Sequence, residues 1–229
     1  MPSRLLPRTL IHPFRRRPSI RLTSHSRSPS ASLSTPSAPP SDPPPPSTHA
    51  IGTAYEHLVL RALTRLHFTL QHTGRSRDLG IDLLGQFQPP SLLSPLPVLV
   101  QCKHVPPSPS LVRELEGAFA GAPAGGGWRG ERVWALLVCN KPATRGVLDG
   151  VGRGGGGARG MGFAMVDDEG VVRQLVWNAV VAGWLGDVGV GVRFGGEGEQ
   201  AGKEVVLVDG GRVVRDWDGK GDDVGAGGV

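Results

Sequence analysis

The sequence predicts an α/β domain behind a basic front segment, and three observations carry that reading. Residues 51–66 place Ile51, Tyr55, Leu58, Val59, Ala62, Leu63 and Leu66 at intervals of three and four, the spacing of an amphipathic helix. Three short strand-like runs, a second helix-like stretch and a continuous apolar run follow, giving the order helix, strand, strand, strand, helix, strand. The chain has 229 residues and two cysteines, a length for one ordinary domain with tails or two small ones. The cysteine count excludes a disulfide scaffold and points to a reducing compartment. No run approaches roughly 18 consecutive apolar residues, so no membrane span is predicted.

The front segment comes first. Residues 1–49 hold seven Arg and one acid, Asp42, a net of +6, so the chain's +5 leaves −1 for residues 50–229. The body is near neutral and the basic character sits in front. Leu5, Leu6, Leu10, Ile11, Phe14, Ile20 and Leu22 are interleaved with the arginines, and Ser is abundant, which is the composition of a mitochondrial transit peptide. A basic nucleic-acid-binding tail is the rival reading. Residues 28–47 run Ser and Pro to Pro43–Pro46 and read as a disordered, semi-extended tether. The expected divisions are therefore 1–49 (targeting and tether), 50–195 (folded domain) and 196–229 (a Gly- and acid-rich extension).

Within the body, Phe68 to His72 and Ile81 to Phe87 read as short strands joined by the polar turn 73–77. Val98 to Lys103 is a third strand, apolar at its start and polar at its end. Ser110 to Phe119 reads as a helix with Leu111, Val112, Leu115 and Phe119 on one face. Val133 to Cys139 is a buried strand. A helix over 143–151, a strand over 162–166 and a helix over 172–185 follow. The helical crossover makes the third and fourth strands parallel and right-handed. In the extension, alternation over 204–217 around Asp209-Gly210-Gly211 predicts a hairpin.

Four polar residues stand where the pattern is otherwise structural. Glu56 lies in the first helix and Asp82 opens the second strand, within Gly80-Ile81-Asp82-Leu83. Gln101 and Lys103 end the third strand and share one face, with Cys102 on the other. A carboxylate on the neighbouring strand can face them, an arrangement suited to phosphodiester hydrolysis. Asp82, helped by Glu56, would hold Mg²⁺ or Mn²⁺ through oxygen. Lys103 would stabilise developing negative charge. Arg75, Arg77, His104 and Arg113 lie close by and would form a positive rim for a phosphate backbone.

Asp82, the run Gln101-Cys102-Lys103 and the helix Leu111-Val112-Arg113-Glu114-Leu115-Glu116-Gly117-Ala118 together resemble the PD-(D/E)XK nuclease superfamily. The likeness is to the Mrr-type branch, where Gln replaces the usual acid before the lysine. With Arg77-Asp78-Leu79-Gly80-Ile81-Asp82-Leu83-Leu84-Gly85 and the front segment, the chain resembles a fungal mitochondrial group of required-for-respiratory-growth, restriction-endonuclease-like proteins. The resemblance covers about residues 50–195. It implies a restriction-endonuclease-like core (αβββαβ, a mixed central sheet flanked by helices) and a matrix location. It also implies Glu56, Asp82, Gln101 and Lys103 as the site, Mg²⁺ or Mn²⁺ bound by Asp82, Glu56 and Gln101, and DNA ahead of RNA as substrate, with no integral membrane contact.

Each residue also has a structural reading. Thr53-Ala54-Tyr55-Glu56 matches a capping box, which would give Glu56 a role at a helix start. Asp82 after Gly80 fits an ordinary turn, Lys103 the solvated end of a strand, and the arginine run a solvated face. Two rival functions follow: an inert nuclease-fold module that binds nucleic acid, and a protein-interaction subunit of mitochondrial gene-expression or respiratory machinery. Gly152–Gly157 satisfies a dinucleotide pattern literally but follows no strand, and it reads as low complexity. Cys102 and Cys139 have no zinc spacing and read as buried thiols.

Overall fold

The first helix, α1 (Thr48–Thr64), begins three residues earlier than the apolar pattern announces, because Ser47 caps it: its hydroxyl accepts from the Ala50 N–H at 3.2 Å. Thr53 is therefore inside the helix and the capping-box reading of Glu56 falls. The computed structural model describes residues 46–73, 80–122, 128, 130, 132–195 and 202–217, all within one compact unit. Most of the targeting and tether segment lies outside the described residues, as do Arg75, Arg77 and the tail 218–229.

After α1 come β1 (Phe68–His72), β2 (Leu83–Phe87), β3 (Leu96–Lys103), α2 (Pro109–Ala120), β4 (Trp134–Cys139), α3 (Arg145–Gly157), β5 (Gly160–Val166) and β6 (Val172–Trp177). The six strands form one mixed sheet in sequence order. β1, β2 and β3 pair antiparallel, β3–β4–β5 parallel, and β6 returns antiparallel on β5. The parallel pairing across α2 agrees with the crossover read from the sequence.

Alternation along β3 divides the core into two layers. Val98, Val100 and Cys102 pack with Tyr55, Val59, Leu63 and Phe68 on the α1 side. On the other side Ala135, Leu137 and Cys139 of β4 pack under Val112, Leu115, Val147 and Val151 of α2 and α3. β4 is buried at all six positions, as expected of a central strand covered on both faces.

The expected helix over 172–185 is instead β6 followed by α4 (Ala179–Leu185). Val172, Leu175 and Val176 sit at helical spacing, but pairing with β5 satisfies the backbone of this stretch and overrides the pattern. Asn178 marks the break. Its Oδ1 accepts from the N–H groups of Val181 (3.2 Å) and Met161 (3.3 Å), and its Nδ2 donates to Arg159 O, so it caps α4 and ties it to β5. The helix read over 143–151 runs on through the glycine run as α3.

A second sheet contains β7 (Val188–Gly195), β8 (Gly202–Asp209) and β9 (Arg212–Val213), with β8 and β9 joined at the predicted Asp-Gly-Gly turn. Val205 and Leu207 of β8 enter the α1-side core, so this sheet packs onto the domain.

Candidate functional site

β3 carries the chemistry to the carboxyl edge of the sheet. Leu83 pairs with Val100, so Asp82, one residue beyond the ladder, falls opposite Gln101. The Asp82 N–H donates to Val100 O at 2.9 Å, and Asp82 Oδ2 accepts from the Cys102 N–H at 2.6 Å. The carboxylate is thereby fixed to the end of the neighbouring strand.

Gln101 is fully buried. Its Nε2 donates to Glu114 Oε1 at 2.8 Å, and Lys103 Nζ donates to the same oxygen at 2.8 Å. Glu114, from α2, thus holds amide and ammonium together over the strand end. Gln101 Oε1 is buried with no hydrogen-bond partner, which costs about 1–3 kcal/mol when nothing occupies it. Gly80 makes room for this amide: its φ is +82°, and a Cβ there would lie 2.8 Å from Gln101 Nε2. Both facts favour glycine at 80.

Asp82, Gln101 and Lys103 are therefore brought together, with Glu114 added. Glu56 sits on the α1 side, where its carboxylate lies 3.4 Å from His72 Nδ1, and His72 Nε2 shares a 3.0 Å hydrogen bond with His57 Nδ1. The Asp82 and Glu56 carboxylates both bear on the Cys102 thiol. Burial first, then these two carboxylates, push its thiol above its ordinary value, and Lys103 opposes them. Arg113 is exposed on α2. Arg65, at the carboxyl end of α1, is paired with Glu204 (2.6 Å) and Asp216 (2.7 Å).

His104 lies one residue past Lys103. Its Nε2 donates to Asp168 Oδ1 at 2.8 Å, and its ring lies 4.9 Å from that of Tyr55. Asn140, the residue after β4, is 7 % exposed; its Nδ2 donates to the same Asp168 oxygen at 3.4 Å and its Oδ1 is buried without a partner.

Glu114, Asn140 and Asp168 were not among the residues the sequence singled out. Glu114 falls on the polar face of α2, Asn140 follows an apolar run and Asp168 lies in a turn, so only the fold assembles them. Among the described residues no three His, Cys, Asp or Glu side chains converge as a metal-binding group. A hard cation at this edge would draw on the Asp82 carboxylate and the Gln101 oxygen, with water or substrate oxygens completing its shell.

A profile of the family described as required for respiratory growth protein 7 matches residues 47–94 and 88–180, more than half of the chain. The matched stretch contains Glu56, Asp82, Gln101, Lys103, Glu114, Asn140 and Asp168. An uncharacterised mitochondrial protein of Schizosaccharomyces pombe is 35 % identical over 106 residues, covering 42 % of this chain and 43 % of the relative. The match thus spans less than half of that relative's length. No solved structure matches.

Proposed function

This chain belongs to the required for respiratory growth protein 7 family and is mitochondrial, and from that premise we propose that it is a restriction-endonuclease-like protein hydrolysing phosphodiester bonds in DNA. Its contribution to respiratory growth is then upkeep of mitochondrial nucleic acid. The observation that carries the reading is the buried Gln101 oxygen without a partner, set beside a carboxylate and an ammonium at the end of one strand. Buried polar atoms are normally paired, and an exception marks a place where a missing group is accommodated. Oxygen donors of this kind fit Mg²⁺ or Mn²⁺.

In this reading Asp82 and Gln101 hold the cation, with Glu56 as the second carboxylate approaching from α1. When bound, the metal supplies Lewis acidity and an activated water. Lys103 places its ammonium where charge develops on the phosphate, and Glu114 keeps both Lys103 and the Gln101 amide in position. The backbone N–H of Cys102 orients the Asp82 carboxylate. Arg113 steers the backbone, together with Arg75 and Arg77, while His104 turns to the α1 side and pairs with Asp168.

The test is incubation of the full chain with labelled single- and double-stranded DNA and RNA, with Mg²⁺, Mn²⁺ or chelator. Metal-dependent DNA cleavage that falls 100-fold or more in Asp82→Ala and Lys103→Ala is expected, on the order of the loss of one transition-state contact. No cleavage by the folded wild type with either metal would overturn it. One observation favours the inert-module reading: Lys103 and Asp82 each already have a partner within the protein. Metal-independent DNA binding indifferent to Asp82→Ala would select that reading.

A further inference from the structure

Beside the site, on the α1 side of the same sheet edge, lies an open trough of about 420 Å³, lined by Ile51, Ala54, Tyr55, Leu58, His104 and Asp168. One wall is the apolar face of α1. The other is the His104–Asp168 pair, and the 167–170 turn that carries Asp168 is pressed onto Leu58. That turn needs Gly170: its φ is +80°, and a Cβ there would lie 2.9 Å from Leu58 Cδ1.

We propose that this trough is a nucleobase subsite, which receives the base of an unpaired nucleotide adjacent to the phosphate held at Lys103 and prefers bases bearing an exocyclic amino group. The inference rests on the phosphodiester reading for its location and adds to it the substrate class, a strand unpaired at that nucleotide.

Four observations support it. Lys103 and His104 are consecutive but face opposite sides of the sheet edge. A strand draped over that edge puts its phosphate on the α2 side and its base on the α1 side, which a base stacked in a duplex cannot do. The volume lies in the range of small-ligand pockets and accommodates a base with its sugar. A carboxylate repels phosphate, so Asp168 selects the base edge over the backbone. Asp168 Oδ1 is occupied by His104 and Asn140, while its Oδ2 has no hydrogen bond among the described residues. Those two hydrogen bonds also hold its carboxyl below the ordinary range, leaving it an acceptor only. An exocyclic amine supplies the matching donor, as carboxylates accept from base amino groups in groove readout. Thymine and uracil would instead bring carbonyl oxygens against the carboxylate.

The experiment measures fluorescence anisotropy of labelled oligo(dA), oligo(dC) and oligo(dT) pentamers with the full chain at low salt and in chelator, where nothing is cut. Wild type should bind dA and dC about fivefold tighter than dT, the low end for one base-edge contact. Asp168→Asn, at an exposed position, should bring the ratio near one, because an amide also donates to thymine carbonyls. Ile51→Glu, which charges the apolar wall, should weaken all three. Equal wild-type affinities overturn the inference, as does a ratio that survives Asp168→Asn. So does a trough that takes a lysine or arginine side chain of a protein, which would show no base discrimination. Discrimination in a protein that never cleaves would leave the subsite standing and remove only the nuclease reading.

Discussion

Two charged clusters flank α1, and they are built on opposite terms. At its carboxyl end, Arg65 pairs with Glu204 and Asp216, and Arg193 reaches Glu204 at 3.0 Å and Asp216 at 4.0 Å. Arg65 and Arg193 both pair within this network, and its four members bind α1 to the second sheet. At the sheet edge near the amino-terminal half of α1, Gln101 Oε1 and Asn140 Oδ1 are buried without partners. Around them stand the Lys103 ammonium, the carboxylates of Asp82, Glu114 and Asp168, and His104. Among the described residues the third such atom, Trp134 Nε1, lies in the core against Gly162. A region whose polar groups satisfy one another holds a fold together. One that leaves buried oxygens unsatisfied at an open edge carries a cost that function is expected to offset.

Substitutions can break this comparison. The largest effect is expected at Lys103→Ala, with cleavage down 100-fold or more while the denaturant midpoint hardly moves, since the ion pair with Glu114 is exposed. A large loss of stability with activity retained would place Lys103 with the structural cluster. The reverse is expected at Glu204→Gln, where stability falls by about 1 kcal/mol, a figure kept small by partial exposure, and nucleic-acid affinity is unchanged.

Acid sharpens the same contrast. Burial of Glu204 opposes its ionisation, yet hydrogen bonds from Arg193 and Arg65 outweigh it and hold the carboxyl below its ordinary value. A carboxyl depressed on folding contributes stability above its unfolded pKa and loses it as pH falls through the folded one. Melting temperatures taken downward from about pH 5 should therefore fall more steeply in wild type than in Glu204→Gln. The smallest effect is chemical. Burial pushes Cys139 up to about 12, against Lys103, so it should resist alkylation at neutral pH until the protein is unfolded.

Much of this was legible in the sequence. The α1 stripe, the polar end of β3, the parallel crossover and the Asp-Gly-Gly turn follow from local periodicity and turn chemistry, which the fold preserves. β6 was not, because Val172, Leu175 and Val176 satisfy a helical interval and a strand alike, and only pairing with β5 decides between them. Asn178 was the available stop signal, as a side chain able to cap the helix behind it. Asp82, Gln101 and Lys103 could be placed together because β-pairing has fixed alternation. Glu114 could not, since nothing in the period of α2 says that its polar face meets the end of β3. Asn140 and Asp168 meet only through three-dimensional turns.

The most direct measurement is the melting temperature of the full chain and of Gln101→Leu, each with and without Mn²⁺. If the Gln101 oxygen is kept for a cation, Mn²⁺ raises the wild-type midpoint by binding the folded state. Gln101→Leu is then about 1 kcal/mol more stable than wild type without metal, relieved of an unsatisfied buried oxygen, and does not respond to Mn²⁺. A variant that is less stable than wild type, or that shifts with Mn²⁺ as much as wild type does, would contradict the account.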